Sequence, residues 1–552
     1  MGAVQKSSIS AMTTLGLINF LKEKQIHIHV ENGRLKINAP IGVVDGALQA
    51  ELKIRKNDLL AAFGGPSSAE PLIPLTADQL TGMLPLTAAQ QGMWLIEHFN
   101  PGNVAYNIPE AFRFEWRVEL VTFQAAVDQL IARHKILRTS FHEDEGELFQ
   151  TIAATVSAPV LFNDFSHLDE LERERACAAL LRDESRRPFD LRHPPLARFH
   201  LIRLAKDTHV LFSNIHHIIA DRVSLYILRE EVLSISDAIA NKTAHTLPDL
   251  PIQYVDYAVW AARQQQGPVI QKQIEYWKRK LAGVPAFLEL PHSRPRPEKR
   301  SSWGATKPVA VSKEHRAMLA KIAAEERTSH FQTFLALFAL LLARSSGSLD
   351  FCIGSPITHR KHPATQQMVG LFVNMLVFRC ELDSAMTFRE LLRCVRTTAL
   401  DAYENSDVPF QTLVRALKPD RRSQRSPVFQ VMFGYETYMP STFDDFQIDT
   451  GSGTARYDLS LHLAESASEG IYGSFEYCTD LFEESDIERM ISEFEAVVVE
   501  VASDPDREVF VIQTKPLAPA PEVKAGVPSM ALPSNVATPR GPARWFNFRK
   551  QN

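Results

Sequence analysis

Residues 210–221 read Val210-Leu211-Phe212-Ser213-Asn214-Ile215-His216-His217-Ile218-Ile219-Ala220-Asp221. The apolar run Val210–Phe212 predicts a buried strand, and two adjacent histidines at its end point to opposite sides. One can face a cavity while the other packs inward. Asp221 stands four residues beyond His217, in reach of a turn that folds back on it. Acyl transfer to an amine needs a group to take the amine proton and donors to hold the oxyanion. A neutral imidazole titrates in the right range for the first task. The same residues also suit a satisfied pair of core histidines, or a metal site that lacks a third ligand at zinc-like spacing.

Outward from this stretch the chain mixes helices and strands without a repeat. Apolar spacing predicts helices over Thr122–Arg133, Asp169–Arg182, Ser329–Arg344 and Phe388–Tyr403, and strands over Phe199–Leu204 and His209–Ile215. The longest apolar stretch, Phe334–Ala343, is far short of a membrane span and reads as a buried helix. Either Gln264–Pro268 or the Pro-rich Pro291–Lys299 can join two lobes. Beyond Lys515 the chain is rich in Pro and Ala, which predicts a linker or tail over 516–552.

Near the N-terminus the pattern is different. Thr13–Lys24 has helical apolar spacing, with shorter helical patterns over Ala47–Leu52 and Asn57–Phe63. Between them Ile26–Val30 and Leu35–Ile37 alternate around Asn32-Gly33. Asn-Gly between alternating runs is a hairpin signal, because both turn residues take positive φ. Gly64–Ser68 reads as a linker.

Seven segments in order carry a resemblance. They are Thr87–Trp94, Arg133–Phe141, His216–Asp221, Tyr254–Trp260, Val369–Asn374, Ser406–Phe410 and Arg425–Phe433. Together they resemble the core motifs of the condensation domains of nonribosomal peptide synthetases, the third being His-His-x-x-x-Asp. The resemblance implies an α/β (α+β) fold, with two chloramphenicol-acetyltransferase-like lobes in a V-shaped pseudodimer, over 84–262 and 263–515. It implies an acyltransferase that joins a donor thioester to an acceptor amine. Both substrates would arrive on phosphopantetheine arms of an upstream and a downstream carrier protein, with no cofactor bound by the chain itself. His217 would be the group that positions or deprotonates the amine. His216 would support it, and Asp221 would be largely structural, paired with Arg360. Asn374 is expected at the substrate tunnel. Arg222 is expected there too, because it stands where the family pattern has glycine. It either narrows the tunnel, recognises an anionic substrate group, or turns outward.

Residues 1–65, joined by a linker over 66–83, resemble the tubulysin-type docking domains of hybrid polyketide–peptide synthetases, with α-β-β-α-α order. That resemblance implies capture of an upstream protein's tail, and the cluster Arg34, Lys36, Lys53, Arg55 and Lys56 implies an acidic one. The alternatives are a starter condensation domain using acyl-CoA and a silent recruitment platform. The cyclising relatives carry Asp in place of the tandem His, and no epimerase-style motif is present. Nothing in the sequence resembles an adenylation domain or a carrier-protein serine motif.

Composition agrees with these readings. The 552 residues are 45% hydrophobic and 23% charged, an ordinary globular balance. A net charge of −5 argues against a general nucleic-acid binder. Residues 1–12 lack the layout of a signal peptide, and the five cysteines, Cys177, Cys352, Cys380, Cys394 and Cys478, have no metal or redox spacing. Buried free thiols in a cytoplasmic protein, away from membranes, are the expectation.

Overall fold

The computed structural model describes residues 21, 26–31, 34–39, 48–49, 52–53, 72–76, 78–80, 82–115, 117–245, 247–265, 267–418, 425–437, 450–466 and 470–509. The tail expected over 516–552, the helix expected over Asn57–Phe63 and the turn Asn32-Gly33 lie outside them, as does Thr13–Lys24 apart from Leu21. Strands β1 (His27–Glu31) and β2 (Arg34–Asn38) pair antiparallel, with Val30 opposite Leu35. This is the expected hairpin.

The next part of the chain carries β3 (Leu84–Pro85), β4 (Asn107–Phe114), β5 (Thr139–Asp144), β6 (Glu147–Ile152), β7 (Val160–Asp164), β8 (Ala197–Ala205) and β9 (Thr208–His216). They form a three-stranded sheet, β3-β6-β5, and a four-stranded sheet, β4-β9-β8-β7. The helices here are α1 (Ala88–Phe99), α2 (Leu120–Arg133), α3 (Glu170–Ser185), α4 (Arg222–Ala240) and α5 (Tyr254–Gln264). Thr87 and Gln90 close a capping box at the start of α1, which satisfies backbone donors that a helix leaves free.

After α5 come α6 (Pro268–Lys280), β10 (Gly304–Val311), α7 (Lys313–Glu325), α8 (His330–Ser346), β11 (Asp350–Thr358) and β12 (Val373–Glu381). They are followed by α9 (Phe388–Glu404), α10 (Phe410–Leu417), β13 (Val431–Thr437), β14 (Leu459–Ser466), β15 (Gly470–Cys478) and α11 (Glu484–Ser503). Six strands form one sheet in the order β10-β15-β14-β13-β11-β12. Helix α8 is buried at every position from Gln332 to Ala343. A Ser329–Gln332 capping box starts it, and Gly347 ends it at φ 71°, a left-handed cap that a Cβ would strain. The four helices and two strands expected between Thr122 and Tyr403 are present with ends shifted by up to three residues: α3 and α8 start one residue later than expected, and β8 and β9 extend further at both ends.

Among the described residues two large hydrophobic cores form, with a smaller cluster where Cys177 and Leu181 of α3 meet Ile202, Val210 and Phe212. The second gathers α8 with Phe351, Leu461, Phe475 and Phe494. The first packs the four-stranded sheet on α2 and α4, through residues such as Phe114, Leu130, Leu211 and Leu225. Met368, Val369, Leu371 and Phe372, from between β11 and β12, also belong to the first core. That crossing of chain from one half into the other's core meets Asp221, through the Phe372 N–H. Four of the cysteines are buried, whereas Cys394 is exposed. Among the described residues no helix is long and apolar enough to cross a membrane.

Candidate active site

Strand β9 delivers both histidines at its end, and a tight turn follows. The backbone N–H of His216 donates to the Leu196 carbonyl (2.9 Å), and that of Ile219 donates back to His216 (3.1 Å). The His217 N–H donates to the Tyr106 carbonyl at 2.8 Å, so the residue just before β4 anchors the turn. His216 packs its ring edge-on against Phe189, and its Nδ1 accepts from the Ile218 N–H at 3.1 Å. It is a packing residue.

His217 is oriented differently. Its Nδ1 lies 2.8 Å from the Ala220 carbonyl. A carbonyl only accepts, so Nδ1 carries the proton and Nε2 is left with its lone pair. Burial pushes the imidazole down to about 4, and the positive charge of Arg456 pushes the same way. His216 is likewise pushed down to about 3, by burial first and then by its neighbours His217 and Arg456. This corrects the expectation of a histidine titrating near neutrality. His217 is a neutral imidazole throughout the physiological range, and its open nitrogen is a hydrogen-bond acceptor.

Asp221 caps α4. Its Oδ1 accepts from the Ser224 N–H (2.8 Å), the Ser224 hydroxyl (2.7 Å) and Nη2 of Arg360 (2.8 Å), and its Oδ2 accepts from the Phe372 N–H (3.1 Å). Both charged partners are at most 1% exposed. Arg360 also donates to the Met368 carbonyl (2.6 Å) and to the Ser224 hydroxyl (2.9 Å), and it lies over the Phe372 ring at 4.1 Å. The carboxylate therefore fastens the start of α4 to the crossing segment of the other half.

The remaining expected residues lie elsewhere. Arg222 leaves the site: its side chain is 77% exposed and pairs with Glu436 on β13 at 3.1 Å. The Asn374 amide donates to the carbonyls of Ser406 (3.3 Å) and Val408 (2.9 Å) and accepts from the Phe410 N–H (2.9 Å). Its polar atoms hold the loop before α10. Lys53 is exposed, Arg34 and Lys36 lie on β2, and Arg55 and Lys56 lie outside the described residues. Arg456 and Ser224 were not anticipated. Ser224 had a signal, since Asp-x-x-Ser at a helix start is a capping pattern. Arg456 had none, being far away in sequence.

A Condensation domain family model matches residues 80–516. The chain belongs to the condensation domain family. A TubC N-terminal docking domain model matches residues 16–63. One linear gramicidin synthase polypeptide of Brevibacillus parabrevis is 36% identical over 458 residues, covering 82% of this chain and 9% of the relative. Phosphinothricin tripeptide synthetase PhsC of Streptomyces viridochromogenes is 34% identical over 458 residues, covering 81% of this chain and 41% of the relative. The chain thus spans less than half the length of these curated relatives. Among solved structures, the X-domain in complex with OxyB from teicoplanin biosynthesis aligns with TM-score 0.73 at 26% identity, covering 81% of this chain and 99% of that one. The first condensation domain of the calcium-dependent antibiotic synthetase, bound to a substrate analogue, aligns with TM-score 0.66 at 17% identity, covering 78% and 100%. The condensation domain here has the pseudodimeric, chloramphenicol-acetyltransferase-like α/β fold.

Proposed function

We propose that this condensation domain forms an amide between a donor acyl thioester and the amine of an acceptor aminoacyl thioester. Both are carried on phosphopantetheine arms of partner carrier proteins. The observation that carries the reading is the His217 imidazole, held at Nδ1 by the Ala220 carbonyl so that Nε2 keeps its lone pair as an acceptor. The acceptor's neutral amine donates a hydrogen bond to Nε2 and attacks the donor carbonyl carbon. The carbon–sulfur bond then breaks, and the proton shed by the amine ends on the departing thiolate. An imidazole pushed to about 4 is a weak proton store and holds that proton only in passing. Asp221 and Arg360 keep the turn in place and do not touch the reacting atoms. The lobes are assigned to 84–262 and 263–515, with the junction at Gln264–Pro268, where one core gives way to the other. Residues 1–65 receive the upstream partner.

His217→Ala tests the reading. Amide formation between loaded carrier proteins, followed by mass spectrometry, should fall by about two to four orders of magnitude in a folded variant. Undiminished product would overturn it and favour a recruitment platform. That second reading draws on the likeness to the X-domain that is solved with OxyB.

A further inference from the structure

The two halves exchange arginines beside the histidines. Arg186, just after α3, donates from Nε to the Ser452 carbonyl at 2.9 Å. Arg456, just before β14, donates from Nε to the Ala105 carbonyl at 2.9 Å and lies over the Tyr106 ring at 5.3 Å. The segment between is shaped for this approach. Gly453 sits at φ +61°, and a Cβ there would come within 2.6 Å of the Arg186 guanidinium. Tyr106 is the residue whose carbonyl receives the His217 N–H. An unbroken path therefore runs from the second half's sheet, through Arg456 and the Ala105–Tyr106 backbone, to His217.

We infer that Arg456 is a positioning residue, through which the second half of the chain sets both the place and the protonation of His217. The inference rests on the proposed amide-forming role of His217, but its test does not. The charged and titratable groups around His217 come from several elements. His216 precedes it, Tyr106 holds its N–H through the backbone carbonyl, and Asp221, paired with Arg360 at the end of its turn, still favours a charged imidazole. Arg456 reaches Ala105 and Tyr106, next to the His217 turn, from the segment before β14, with Glu476 of β15 beside the Arg456 backbone at 3.4 Å. Further along that sheet, His462 of β14 feels Glu476, Glu436, Arg456 and Arg222 together. At His217 burial acts first, the positive charge of Arg456 next and in the same direction, and the Asp221 carboxylate acts against both. A cation there disfavours a second one on the imidazole and keeps Nε2 open to the amine.

Deuterium exchange at the imidazole C2 position, read on the His217 peptide by mass spectrometry across pH, reports protonation without any assay of chemistry. Three proteins are compared: the parent, Arg456→Gln, which keeps a donor for the Ala105 carbonyl but loses the charge, and Arg456→Lys, which keeps the charge. The parent midpoint is expected at about 4. The Gln variant should rise by about one pH unit, with the Lys variant close to the parent. The acid limb of the amide-forming rate should move upward in the same order. A folded Gln variant with the parent's midpoint, or a Lys variant that moves as far as Gln, would overturn the inference. If the parent makes no amide at all, the proposed reaction has failed, while the midpoints still decide the role of Arg456.

Discussion

Asp221 shows how little an aspartate beside a histidine pair says about its own work. Its oxygens receive a helix N–H, a hydroxyl, a guanidinium and the Phe372 N–H, all away from solvent. Asp221→Asn removes the counter-charge of a buried arginine, and a stranded buried charge costs about 3–5 kcal/mol. The melting temperature should drop clearly, with activity falling alongside it. An unchanged melting point with lost activity would make Asp221 a group in the chemistry. At this scale the sequence was legible where residues are neighbours: His216, His217 and Asp221 lie within six positions. The pair with Arg360 was readable only through the family resemblance, because nothing local links the two. Arg456 was not readable at all. Its effect passes through space, to the carbonyl of Ala105 and the charge balance of an imidazole, and leaves no periodicity in the chain.

Elements place these residues, and one close approach holds the placement. A Cβ on Gly370 would lie 1.8 Å from Cδ2 of Tyr254, at the start of α5. The Tyr254 hydroxyl donates to the Leu371 carbonyl at 2.7 Å, and the Ser224 hydroxyl stands 2.8 Å from the Gly370 carbonyl. Gly370→Ala must displace the tyrosine ring, and overpacking of this kind costs about 1–3 kcal/mol. The midpoint of chemical denaturation should fall accordingly, and an unmoved midpoint would show that the ring has room to yield. Elements set by local pattern were legible, such as the β1–β2 hairpin around Asn32-Gly33 and the buried α8. Pairings between distant strands were not. β11 meets β13 in parallel only at Ile353–Val431 and Gly354–Met432, across two helices and a strand. The Val369–Asn374 segment was recognisable as a motif, but that Val369, Leu371 and Phe372 pack into the first core depends on the tertiary fold alone.

On the scale of the whole molecule, the docking region and the amide-forming region should separate in experiment. Deleting residues 1–65 should leave turnover of a small soluble donor thioester unchanged and reduce turnover with a carrier on its natural upstream protein. Because Arg34, Lys36, Lys53, Arg55 and Lys56 favour an acidic tail, binding should also weaken as salt rises. Binding indifferent to salt would count against a charge-guided dock. The halves of the condensation domain are not separable in this way, and the reason bears on how the protein is made. Met368, Val369, Leu371 and Phe372 complete the first core, and Arg360 neutralises Asp221. A ribosome adding about 5–20 residues each second finishes α5 roughly five to twenty seconds before it reaches Phe372. During that interval the nascent first half carries an open apolar wall and a carboxylate without its arginine. It is then a client for chaperones, and it closes only when the growing chain returns to it.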